Sequence, residues 1–208
     1  GGGEDGHRHR RARVDERRIT WPPKAADLPR AACPQDALDQ IVGLLRSASR
    51  PLILSGGGVV WSEGTKELER LISTTGIPLV TTPQTRGVVP EDHSLVLTAT
   101  RNRAQKEADV VVVVGTRANW INFHLHTPRF SAEAAFVVAN IDPDEIGRGR
   151  RPDVGVVTDA KVFIEQLTEA LADGEPIDWD ALGVHPRTRA RLQELRVLAE
   201  VAGLHRDT

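Results

Sequence analysis

Ala108-Asp109-Val110-Val111-Val112-Val113-Val114-Gly115-Thr116-Arg117 places five consecutive valines between an acid and a glycine. A strand with one wet face alternates apolar and polar residues. An unbroken β-branched run instead marks a strand covered on both faces, hence a central strand of a parallel sheet. Working outward, the same texture recurs. Pro51-Leu52-Ile53-Leu54 runs into Ser55-Gly56-Gly57-Gly58, and Ile77-Pro78-Leu79-Val80-Thr81 is a second short apolar run. Residues 135–141 and 154–157 supply two more strand candidates. Between them the apolar spacing changes to that of helices: Ala37, Leu38, Ile41, Val42, Leu44 and Leu45; then Leu68, Leu71 and Ile72, closed by Gly76; then residues 99–108; then Val162, Phe163, Leu167, Ala170 and Leu171 behind Asp159.

Strand and helix in repeated alternation predict an α/β fold, a doubly wound, mostly parallel Rossmann-like sheet of about six strands. It occupies residues 36–174. Residues 1–35 are Gly-rich, then charged, then Pro-bearing at Trp21-Pro22-Pro23, and read as a mobile or externally supported lead-in. Residues 175–208 read as a linker, with an amphipathic helix over 186–198. The basic cluster at 7–18 is interrupted by Asp15 and Glu16 and reads as a solvated tail.

Composition narrows the function classes. Of 208 residues none is Met, and Gly stands first, which suggests a fragment, a processed piece or a reading-frame error. One Cys, Cys33, excludes an internal disulfide framework and a Cys-based zinc cluster, which counts against a sirtuin-like NAD-dependent deacylase, a family that shares a related sheet but carries a four-Cys zinc site. A net charge of −2 provides no field for nucleic acid or anionic membrane. No apolar run approaches the ~20 residues of a membrane span, and no signal peptide is evident. These features predict a soluble, cytoplasmic protein.

The chemistry-bearing residues fall at the carboxyl ends of the strands. Gly56, Gly57 and Gly58 let backbone amides approach a phosphate or ribose, with a helix N-terminus expected to follow. Trp61 stands where a dinucleotide fingerprint has its third Gly, and Thr81-Thr82 replaces the acid that usually ends the second strand. The glycine turn alone is therefore as consistent with structure as with binding. Gly115-Thr116-Arg117 and Asn140-Ile141-Asp142 end two further strands, and open parallel sheets bind ligands where such ends converge.

The series Gly56-Gly57-Gly58-Val59-Val60, Gly76-Ile77-Pro78, Thr81-Thr82, Gly87 with Pro90-Glu91-Asp92-His93, Ala108-Asp109-Val110, Gly115-Thr116-Arg117 and Asp142-Pro143-Asp144-Glu145-Ile146-Gly147 resembles the central domain of thiamine-diphosphate enzymes. That family includes acetohydroxyacid synthase, oxalyl-CoA decarboxylase and 2-hydroxyacyl-CoA lyase. The stretch from Arg101 to Trp120 looks more like the acyl-CoA branch, and the glycine triplet with Asp142-Pro143-Asp144 more like the synthase branch; both stay open. The resemblance implies a parent enzyme acting on 2-keto acids or 2-hydroxyacyl-CoA thioesters, with thiamine diphosphate and Mg held by pyrimidine- and pyrophosphate-binding domains outside this chain. It implies a homo-oligomer. It assigns no catalytic residue here, only scaffolding and an optional FAD or ADP site, the alternative being a free-standing adenine-nucleotide module.

By the same resemblance the nucleotide contacts are Gly56, Gly57, Gly58, Thr82, Arg101 toward a phosphate, Gly115, Thr116, Arg117, Asn140 in place of a ribose-binding Asp, Ile141, Asp159 and Ala160. Blander readings stand beside these. Arg117 reads equally well as a structural partner of a neighbouring carboxylate such as Asp142. His124-x-His126 reads as a loop pair without metal, Trp120 and Phe123 as interface, Pro90-Glu91-Asp92-His93 as a capped turn, Glu145 as a cap, and Arg148-Gly149-Arg150-Arg151 as a solvated loop.

Overall fold

The computed structural model describes residues 29–172. The expected lead-in up to residue 28, including the cluster at 7–18, and the expected linker and helix of 175–208 lie outside the described residues. Helix α1 (Gln35–Ser47) leads into β1 (Pro51–Ser55), a one-turn helix α2 (Gly58–Trp61) and α3 (Thr65–Thr75). Then come β2 (Leu79–Thr81), α4 (Arg101–Glu107), β3 (Val110–Val114), β4 (Ala135–Asn140), β5 (Val154–Val157) and α5 (Ala160–Ala172).

The strands form one parallel sheet in the order β2-β1-β3-β4-β5. The expected parallel, doubly wound arrangement holds, with five strands among the described residues where about six were expected. The valine run is central: Val112 lies opposite Ile53 on β1 and Val137 on β4. All five valines are buried because alternate side chains enter different cores. Val110, Val112 and Val114 join α1, α3 and α5 on one face. Val111 and Val113 join Ala104, Ala108, Phe130 and Phe136 on the other. Burial on both faces leaves no polar position, so alternation vanishes from the sequence.

Chain order sets the site. β1 lies between β2 and β3, so the connection after β1 runs one way along the sheet, to β2, and the one after β3 runs the other way, to β4. In this 2-1-3-4-5 order a crevice is expected at the carboxyl ends of β1 and β3, where the chain order reverses. At the opposite end, the Asp109 carboxylate accepts the backbone N–H groups of Ser49 and Arg50, each at 2.8 Å. That clamp locks the α1–β1 turn to the base of β3.

One expectation needs correction here, and a second gains detail. The helix expected after the glycine turn is only one turn long; Glu63 takes φ 61° and the principal helix restarts at Thr65. Its macrodipole therefore cannot develop at the turn, and the glycines act through their backbone alone. The lead-in was expected to be mobile or externally supported up to residue 35, and its described end is supported by residues at and before α5. Ala31 O accepts Asp159 N at 2.8 Å, and Cys33 N donates to Gln166 Oε1 at 2.8 Å. Local composition does not reveal such a distant partner.

Cys33 is 4 % exposed, and burial, then the Asp36 carboxylate, raises its thiol pKa. Because the thiolate is the nucleophile, native Cys33 should alkylate with iodoacetamide at pH 8 at least about tenfold more slowly than in the urea-unfolded chain. A raised native pKa also means that the folded state holds the proton longer. A small part of stability is then lost as pH rises past the ordinary thiol value of about 8.5, and Cys33→Ala should remove that slope. Equal labelling of native and unfolded chains would contradict the packing of Cys33. Among the described residues no helix is long and apolar enough to cross a membrane.

Candidate functional site

The turns after β1 and β3 interlock before they can form a site. A Cβ on Gly56 would stand 2.2 Å from Thr116 Cβ, and one on Gly58 would stand 2.7 Å from Gly115 Cα. Gly115 itself has φ +60°, and its own Cβ would meet Gly58 Cα at 2.8 Å. Two main chains pass in contact, joined by Gly58 N donating to Gly115 O at 2.8 Å. Gly57 differs: its added Cβ would meet only the Gln84 Oε1 end of a side chain, 2.7 Å away. The three glycines thus divide. Gly56 serves the seam, Gly58 serves the seam and borders the crevice, and Gly57 faces Gln84 across it.

Above this seam lies a cleft of about 520 Å³, within the range of pockets for drug-sized ligands. Of the residues expected at a site, Gly57, Gly58, Thr82, Gly115, Thr116, Arg117, Asn140 and Ile141 line it together. Gly56 lies behind its wall. Arg101, Asp159 and Ala160 are not in its lining.

The reasons are local. Asp159 caps α5, its Oδ1 accepting Lys161 N at 3.0 Å, and pairs with Arg30 at 3.0 Å. Ala160 is buried in the core. Arg101 begins α4, with burial first and then Arg129 and Arg86 lowering its guanidinium pKa. Arg129 reaches across to Asn102 on the same first turn and covers the Phe123 ring at 4.5 Å.

Asn140 spans two walls of the cleft. Its Nδ2 donates to Thr116 O at 3.0 Å, while its Oδ1 accepts Asp142 N at 3.1 Å. Sequence reasoning missed Gln84, Asn119, Ile121, Asn122 and Glu145 as lining residues. The clearest available signal was Asn119-x-x-Asn122: Asn119 Oδ1 accepts Ile121 N while Asn122 Oδ1 accepts Asn119 N, a reciprocal cap that holds the loop over the cleft.

Glu145 was expected as a cap, but its carboxylate faces two arginines and Asp142 caps the turn. Glu145 is 4 % exposed and lines the cleft. Its Oε1 accepts Arg148 Nη1 at 2.9 Å and lies 3.7 Å from Arg117 Nε. The neighbouring carboxylate that Arg117 faces is therefore Glu145; Asp142, named as an example, uses its Oδ1 to accept Asp144 N at 3.0 Å. Glu145 Oε2 is buried and has no hydrogen-bond partner.

The remaining candidates resolve into structure. His124 Nδ1 and His126 Nε2 lie 3.1 and 2.8 Å from the carbonyls of Ala118 and Gly149, and each ring can donate there as the matching tautomer. Arg150 was expected in a solvated loop. It donates to Ser131 O, Ala132 O and Ala134 O and lies 4.3 Å above the Phe136 ring. A fork of donors facing three loop carbonyls explains the difference.

The sequence and the fold both have known counterparts. A 2-hydroxyacyl-CoA lyase of Oryza sativa subsp. japonica is 36 % identical over 152 residues, covering 73 % of this chain and 25 % of the relative. An acetolactate synthase of Mycobacterium avium is 37 % identical over 146 residues, covering 66 % and 23 %. An oxalyl-CoA decarboxylase of Escherichia coli (strain K12) is 31 % identical over 173 residues, covering 81 % and 30 %. The chain thus spans about a quarter of the length of these relatives. In structure it resembles a protein described as a thiamin diphosphate-dependent enzyme, from Mycobacterium smegmatis, with a TM-score of 0.55 at 19 % identity over 72 % of this chain and 30 % of that one. Residues 38–167, the sheet with its strand-end cleft, match the family model of the thiamine pyrophosphate enzyme central domain, and the chain belongs to that family.

Proposed function

We propose that this domain holds an adenine nucleotide, ADP or the ADP half of FAD, in the cleft at the ends of β1, β3 and β4. The observation carrying this reading is the convergence of Gly57, Gly58, Thr116 and Arg117 on one cleft at the point where the chain order reverses. Backbone close to Gly57 and an exposed guanidinium at Arg117 suit a diphosphate; Asn140 and Ile141 border the space left for sugar and base. The parent enzyme acts on 2-keto acids or 2-hydroxyacyl-CoA thioesters, in keeping with the names of its relatives, and this domain is its scaffold.

Thiamine diphosphate supplies such an enzyme with a nucleophilic thiazolium carbon. Among the described residues no group of three His, Cys, Asp or Glu is placed to hold a metal. The cofactor and its Mg accordingly belong, in this proposal, to pyrimidine- and pyrophosphate-binding domains, and the chain's own residues bind and position only. Trp120 at 78 % exposure and Ile141 at 61 % support contact of this face with those domains or with another copy in a homo-oligomer. The proposed setting is the cytoplasm.

Calorimetry of the full 208-residue chain with ADP, FAD and NAD tests the nucleotide site. The expected result is saturable binding of ADP or FAD at one site per chain. No heat and no thermal stabilisation with any of the three would leave only the scaffold role.

A further inference from the structure

The cleft satisfies its buried polar atoms with one exception. Asn140 and Asn122 use both ends of their amides, Asn122 Nδ2 donating to Arg117 O at 2.6 Å. Thr82 and Thr85 share their hydroxyls at 3.3 Å. Glu145 Oε2 alone, among the described residues lining the cleft, is buried without a partner. A buried carboxylate oxygen left unpaired costs free energy that a donor from outside would recover.

The surroundings specify the donor. Arg148 fixes Oε1 at 2.9 Å, so the carboxylate is held in one orientation. Arg117, with a side chain 74 % exposed, stands 3.7 Å away, beyond good hydrogen-bond distance. A guanidinium held this loosely is free to turn to a ligand's phosphate and uncover the carboxylate. The carboxylate itself repels phosphate and accepts only N–H or O–H. An adenine nucleotide offers such donors at its sugar hydroxyls and at the base amine, and the sugar is the one joined directly to the phosphates that Arg117 would take.

We propose that Glu145 makes the cleft select a ribonucleotide over a deoxyribonucleotide, its Oε2 accepting a hydroxyl of the ligand's sugar when Arg117 turns to the phosphate. This rests on the adenine-nucleotide reading above. The test is calorimetry of the full chain and of Glu145→Gln with ADP, 2′-deoxy-ADP and 3′-deoxy-ADP. The wild type should bind at least one deoxy analogue about tenfold more weakly than ADP, the size expected for a lost hydrogen bond to a charged group. Glu145→Gln should bind ADP more weakly and reduce that ratio to about threefold or less. Binding of all three nucleotides within threefold by the wild type would overturn the inference while leaving the nucleotide site standing. An undiminished ratio in Glu145→Gln would overturn it as well. Failure of ADP to bind at all would remove both readings together. The analogue series on the wild type needs no variant, so a poorly folding Glu145→Gln does not protect the inference.

Discussion

Gly115→Ala is expected to destabilise the domain by about 2–4 kcal/mol, among the larger losses for a single added methyl group. Two costs combine. The residue holds φ +60°, where an L side chain is strained, and its Cβ would lie 2.8 Å from Gly58 Cα, which is main chain and cannot rotate away. Gly56→Ala tests the opposite side of the same seam, since its Cβ would stand 2.2 Å from Thr116 Cβ. Gly43→Ala is the control. It is exposed within α1, nothing lies within 4 Å of its added Cβ, and alanine there should stabilise the chain by about 0.5–1 kcal/mol. Urea unfolding should show a lower midpoint for the first two variants at unchanged slope, and a higher one for the third. Stability within about 0.5 kcal/mol of wild type for Gly115→Ala would contradict the interlocked turns.

Arg117→Ala should weaken ADP binding by about 10–100-fold with little change in stability. Its side chain is 74 % exposed, and its ion pair with Glu145 is long at 3.7 Å, so little folded-state energy rests on it. Arg101→Ala is the contrast. Arg101 was the guanidinium expected at a phosphate, yet it does not line the cleft and its charge faces Arg86 and Arg129. Its removal should change ADP affinity by less than about threefold. Calorimetry on the two variants under one salt condition decides between them. Equal losses would return the phosphate to the α4 side.

The contrast between these arginines indicates which parts of the molecule were legible in the sequence. The valine run from Val110 to Val114 announced itself because burial on both faces demands unbroken apolar residues. Gly115 and the glycine triplet were visible as turns. Their division of labour was not, since it depends on β1 and β3 being neighbours in the sheet, which brings Gly58 and Gly115 into contact although they are far apart in the chain.

Asp159 falls outside the cleft lining for a different reason. A carboxylate that caps a helix and one that binds a ribose look identical in sequence, and only its bonds to Lys161 N and Arg30 distinguish them. Glu145 was read as a cap by the same ambiguity, and its burial places it in the cleft instead. Residues contributed by loops, such as Gln84 and Asn122, carry no period that would reveal them; the reciprocal Asn119–Asn122 cap was the one local trace.

The most direct measurement of the central claim is a crystal structure of the 208-residue chain grown with saturating ADP. The account predicts the diphosphate against the Gly57–Gly58 turn and Arg117, with the adenosine lying toward Asn140 and Ile141. An ADP molecule bound elsewhere, or an empty cleft under those conditions, would contradict it.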